Sequence, residues 1–176
     1  MRSLCVIAFP IVSLVLAMAA IACDGDGDDG DAEPFIGDED YVRDPALDVE
    51  LRSSHGDAIS HNVGQNCMQC HQANGPGRGR FSVAGTLHDE LGQPLPDGTL
   101  ELHRGPDGNG ELVLSVEADG LGNFYATDVL PLPDMPLFPT VVGPGGVGKN
   151  FMPFPTRSGA CNVCHVGSAV VRVPEA

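Results

Sequence analysis

Thr99-Leu100-Glu101-Leu102-His103 and Leu112-Val113-Leu114-Ser115-Val116-Glu117 decide the fold class of this 176-residue chain. In the first run Leu100 and Leu102 alternate with Thr99, Glu101 and His103. In the second, Leu112, Leu114 and Val116 alternate with Val113, Ser115 and Glu117. A period of two places the apolar side chains on one face of an extended strand. Gly105-Pro-Asp-Gly-Asn-Gly110 separates the runs. Gln93-Pro-Leu-Pro-Asp-Gly98 and Ala118-Asp-Gly-Leu-Gly122 bound them, and all three segments carry turn chemistry. Working outward, Phe81, Val83 and Gly85 alternate with Ser82 and Ala84. Asn123-Phe-Tyr-Ala-Thr127, Phe138-Pro-Thr-Val-Val142, Lys149-Asn-Phe-Met152 and Ala169-Val-Val-Arg-Val173 are shorter strand candidates. Six or seven short strands without a long helical period predict a mainly β fold, a small antiparallel β-sandwich over residues 81–176.

These residues also carry a likeness to a known family. Gly85-Thr-Leu-His-Asp89, Leu91-Gly92-Gln-Pro94-Leu-Pro96-Asp97-Gly98-Thr-Leu100-Glu-Leu102 and Ala118-Asp119-Gly120-Leu-Gly122-Asn-Phe124-Tyr125 resemble the carboxypeptidase-regulatory-like (transthyretin-like) β-sandwich. That family runs a strand, a Gly-x-Pro turn and a second strand, and later an Asp-x-x-Gly-x-Phe turn into another. The resemblance spans about residues 81–142. It implies the sandwich and says little about activity, because such modules bind, space and display.

The chemistry lies at the flanks of the strands. Cys67-Met68-Gln69-Cys70-His71 and Cys161-Asn162-Val163-Cys164-His165 are two copies of C-x-x-C-H, the attachment signature of c-type haem. Two thiols at that spacing add across the two vinyl groups of one porphyrin, and the next residue places a proximal His on the iron. Of six cysteines, Cys5 lies in an apolar leader and Cys23 at its end, so the other four all fall in the motifs. Three other chemistries use such cysteines: two disulfides in an exported chain, one structural zinc, or a redox dithiol. None of them explains a His directly after the second Cys both times. The sequence therefore predicts two covalent haems, on Cys67, Cys70 and His71 and on Cys161, Cys164 and His165. The first haem-binding segment is residues 53–80, holding one short helical stretch. Sandwich domains beside C-x-x-C-H motifs resemble those of exported bacterial multihaem proteins.

The sixth iron ligand separates an electron carrier from an open, ligand-binding iron. His61, six residues before Cys67, is the leading candidate, and such a His often serves the neighbouring haem of a multihaem cytochrome. Met152, nine residues before Cys161, is the second, with core filling as its plain alternative. His55 ranks with Met152. Met135 is a further thioether, Met68 lies inside a motif loop, and His88 and His103 read as surface residues. The motifs are 94 residues apart, yet the connector from Gln72 to Arg80 spans at most roughly 30 Å at about 3.3 Å per residue, so the two sites are expected to be neighbours. Gly143-Pro-Gly-Gly-Val-Gly-Lys149 lacks the spacing and hydroxyl residue of a phosphate loop and reads as a hairpin turn. No nucleophile–base pair stands out, and no enzymatic activity is expected.

Arg2 followed by uncharged Leu4 to Ala22 has the layout of a secretory signal peptide, residues 1–22. Ala20-Ile21-Ala22-Cys23 resembles a bacterial lipoprotein leader, which implies a lipidated Cys23 as the mature N-terminus. From Asp24 to Glu50, 12 of 27 residues are Asp or Glu and Arg43 is the only cation. Residues 23–52 are therefore expected to be a disordered, lipid-anchored acidic tether. A net charge of −15 without a basic patch excludes nucleic-acid binding as a reading. The expected protein is a dihaem c-type cytochrome at the cell envelope of a Gram-negative bacterium, periplasmic or on the outer-membrane surface. It would be membrane-bound through its lipid and partnered by other redox proteins of the envelope. The competing reading is an envelope binding or structural module with disulfide-bonded or zinc-bound cysteines.

Overall fold

A computed structural model describes residues 41–174. The expected signal peptide, the lipidation site Cys23 and the first part of the acidic tether lie outside the described residues.

The alternating segments form seven strands in two sheets. They are β1 (Val83–His88), β2 (Thr99–His103), β3 (Leu112–Glu117), β4 (Asn123–Ala126), β5 (Phe138–Val142), β6 (Lys149–Phe151) and β7 (Val171–Arg172). One sheet has the order β4-β1-β7 and the other β3-β2-β5-β6. Between them Val83, Leu87, Leu100, Leu102, Val116, Phe124 and Leu137 pack as a single apolar core. The turn into β4 is made by Asp119, whose Oδ1 accepts from the N–H groups of Leu121 and Asn123, an Asx turn that fixes where the strand begins.

β1 departs from simple alternation, because all six of its residues are buried. Its inner side chains meet the second sheet. Its outer ones, Ala84 and Thr86, lie beneath the two motif segments rather than in solvent.

Three expectations need correction. The β1–β7 pairing is parallel, with Leu87 opposite Val171 and His88 opposite Arg172, so the sandwich is not wholly antiparallel. β7 enters from the second motif rather than by a hairpin, and that sets its direction. The acidic tether does not stay unfolded as far as residue 52. Arg43, the lone cation of that run, is buried and donates to the carbonyls of Leu47, Gly75 and Gly77 and to Asp48. Asp48 also takes Arg80, and Leu51 and Ser53 pair with β4 and its end. A like-charged run folds here because its one guanidinium finds carbonyls that need a donor. Finally, His88 and His103 are only 6% and 7% exposed. Both stand on strands flanked on each side by partners, and His103 Nε2 meets Glu101 at 3.0 Å.

Candidate functional site

The first motif is a single 3-10 turn, Cys67–Gln69, capped by Asn66, whose side chain accepts from the Met68 N–H. The turn returns the chain so that the His71 N–H donates to the Cys67 carbonyl at 3.0 Å, placing both thiols and the imidazole around one opening. Cys67 and Met68 pack on Phe81, Ala84 and Tyr125 across the outer face of β1 and β4. The His71 ring stacks on Phe81 with centroids 4.1 Å apart and planes 4° from parallel, and Phe81 stacks on Tyr125 in turn. The other face of His71 is covered by the Gly77 backbone, where a Cβ would stand 2.7 Å from Nδ1 and push the ring out of place. Burial pushes the His71 pKa below the ordinary histidine value and the Cys67 thiol above the ordinary cysteine value.

The second motif is one helical turn, α1 (Cys161–Cys164), closed by the His165 N–H on the Cys161 carbonyl at 3.0 Å. Cys161 is packed against the core, and its Cβ lies where a side chain on Gly85 would go. Burial pushes its thiol up to about 12, the reverse of the depressed value that makes a dithiol reactive.

One feature is common to both. His71 Nδ1 meets the Arg78 carbonyl at 2.8 Å, and His165 Nδ1 meets the Ala169 carbonyl at 2.9 Å. A carbonyl only accepts, so Nδ1 carries the proton and a neutral ring keeps its lone pair on Nε2. This is the tautomer and tether of a metal-bound imidazole. Each motif also lines its own cavity. Cys67, Cys70 and His71 border one of about 640 Å³, with His61 and Arg78. Cys161, Cys164 and His165 border one of about 570 Å³, with Met152 and Arg172. Both volumes fall in the range of small-molecule and cofactor pockets.

The structure thus places the two leading candidate sixth ligands, His61 and Met152, each beside its own motif. The His61 ring lies 6.0 Å from His71, centroid to centroid, at 36°. It shares a cavity with His71 and not with His165. His55 is elsewhere, exposed and paired with Asp97 at 2.9 Å, Met68 is core filling, and Met135 is exposed. The four motif thiols are free. Among the described residues no three His, Cys, Asp or Glu side chains converge to hold a metal ion by themselves.

Sequence reasoning passed over Asn162, an interior residue of the second motif that is 3% exposed. Its Nδ2 donates to the Gln65 carbonyl at 2.9 Å, two residues ahead of the first motif. Nothing in the sequence marks a polar x residue of C-x-x-C-H as buried, so only the three-dimensional arrangement finds it. The second motif is therefore hydrogen-bonded directly to the segment that leads into the first. Comparison of the chain with protein-family models, with curated proteins and with solved structures finds no match.

Proposed function

We propose that the protein is a dihaem c-type cytochrome that passes single electrons at the bacterial cell envelope, on a transthyretin-like sandwich anchored through a lipidated Cys23. The observation that carries this reading is the repeated imidazole tether: in both motifs the His holds its Nδ1 proton on a backbone carbonyl and keeps Nε2 for a metal. Independent local structures, a 3-10 turn and an α-helical turn, arrive at the same arrangement.

The residues present fit the group. Haem needs two reduced thiols and an adjacent imidazole, and each motif has them on one cavity wall. Haem also brings two carboxylates. Arg78 stands on the first cavity and Arg172 on the second, with the Arg172 Nε buried and without a hydrogen-bond partner. When bound, haem supplies a one-electron iron couple whose potential is set by axial ligands and burial. The chain supplies the rest. Cys67, Cys70, Cys161 and Cys164 would form the thioether bonds, and His71 and His165 would offer Nε2. Phe81 and Gly77 hold the first imidazole in plane. His61 and Met152, each within the cavity of its own motif, would be the further iron ligands. Arg78 and Arg172 would pair with the carboxylates.

A haem-stained gel of membrane fractions tests the reading. Wild type should stain in the membrane, Cys23→Ser should stain in the soluble fraction, and changing all four motif cysteines to Ala should abolish staining. An unstained wild-type band overturns the reading.

A further inference from the structure

The link between the second motif and the segment leading into the first is a chain of buried side chains in which each hydrogen bond has a definite donor and acceptor. Asn162 Oδ1 accepts from the Thr86 backbone N–H at 3.1 Å, which fixes the amide so that Nδ2 faces two acceptors, the Gln65 carbonyl at 2.9 Å and Thr86 Oγ1 at 3.0 Å. Thr86 Oγ1 also accepts from the Gly64 N–H at 3.0 Å. Its own proton must then go to Asn123 Oδ1, at 2.7 Å. That assignment turns Asn123 Nδ2 toward Ser60 Oγ at 2.9 Å and the His61 carbonyl at 3.3 Å. Thr86, Asn123 and Asn162 are each 3% exposed or less. The chain runs from inside the second motif, across the outer face of β1 and β4, to the segment of residues 60–65 that carries His61 and leads into Cys67.

We propose that Asn162, acting through Thr86, is a positioning residue that couples the two sites, so that a change at one alters the other. This rests on the dihaem reading. The argument is one of donors and acceptors. A fully satisfied buried network has one low-energy arrangement, and breaking one member leaves the others buried without partners. The second motif therefore cannot shift against β1 without breaking the bonds of Asn162 to Gln65 and to Thr86, the residue that also holds the Gly64 N–H, and Gly64 and Gln65 set the entry of the first motif. The polar chain makes two sites with different local structures into one rigid unit. An apolar contact of the same size would leave their relative position free to slide.

The test uses the full chain matured in a host with a c-type haem system, and compares wild type with Asn162→Leu, Thr86→Val and Thr86→Ser. The readouts are the haem-methyl resonances of the oxidised protein, resolved by site, and the two midpoint potentials. Asn162→Leu, though it lies in the second motif, should shift the resonances and potential of the haem on His71 as well as those of the haem on His165. Thr86→Val should shift both sets, while Thr86→Ser, which keeps the hydroxyl, should stay close to wild type. A merely structural loss would lower the melting temperature and leave first-site resonances in place. Wild-type first-site signals in Asn162→Leu and Thr86→Val overturn the coupling while the dihaem reading stands. If Asn162→Leu fails to mature, Thr86→Val decides alone. If wild type carries no haem, the dihaem reading falls separately, and amide exchange decides the coupling. The Gly64 N–H should then exchange at least about ten-fold faster in Asn162→Leu, and an unchanged rate overturns it.

Discussion

His71 lies flat between Phe81 and the Gly77 backbone on the outside of the three-stranded sheet, whereas Cys161 is driven into the edge of the sandwich beside Gly85 and Phe124. The first site is held by a polar clasp. Arg43 ties the carbonyls of Gly75 and Gly77, and Asp48 binds Arg43 and Arg80 together. The second is held by apolar packing, and its cavity reaches the core residues Leu100 and Val141. The same five-residue chemistry is thus supported once by hydrogen bonds over a loop and once by the hydrophobic core. Perturbations of the two supports should be separable, except through Asn162.

The largest separation is expected from Arg43→Ala. The substitution leaves the Gly75 carbonyl buried without a donor and frees the loop that backs His71. Denaturant unfolding should lose about 3 kcal/mol, with the ligand spectrum of the His71 site altered and that of the His165 site retained. A loss below about 1 kcal/mol would mean that the clasp is not what holds the first site.

Gly85→Val probes the other support. A Cβ there stands 2.5 Å from Phe124 Cζ and 2.9 Å from Cys161 Cβ. Overpacking of this kind costs about 1–3 kcal/mol, and here the strain falls on the helical turn of the second motif. The His165 site should change more than the His71 site. Equal changes at both would show that strain passes through the sheet as readily as through Asn162.

The smallest effect concerns pH. Burial pushes the pKa of His88 below its usual value of 6.5, with Arg172 adding to the shift and Asp89 opposing it. Above that value the ring is neutral in both folded and unfolded chain, and stability is full. As pH falls, the unfolded chain takes its proton first, so stability is lost as pH passes down through the depressed folded value. His88→Gln should make the fall in melting temperature between about pH 7.5 and pH 5.5 shallower. An unchanged slope would mean that His88 stays neutral or is solvated on both sides of the transition.

Much of the fold was legible because strand alternation and turn residues are local signals. The Leu100/Leu102 and Leu112/Leu114/Val116 runs became β2 and β3, and even the weak Lys149 and Ala169 segments supplied β6 and β7. What local patterning misses is what covers a face. β1 reads as half-exposed in sequence and is buried on both sides, because the motif segments lie on its outer residues. His88 and His103 read as surface residues in sequence for the same reason. Arg43 read as a stray cation in an acidic tether because its acceptors, Gly75 and Gly77, are more than 30 residues away in sequence. At the site, the Cys and His positions were legible from spacing alone. Asn162 was not, since the Thr86 and Gln65 groups that bury it come from other segments.

The central claim is covalent haem at both motifs, and intact mass spectrometry of the full chain, matured in a host with a c-type haem system and followed by peptide mapping, tests it most directly. The account predicts a mass increased by two haems, one on the Cys67–His71 peptide and one on the Cys161–His165 peptide. A mass accounted for by the polypeptide with disulfides or zinc alone would contradict it.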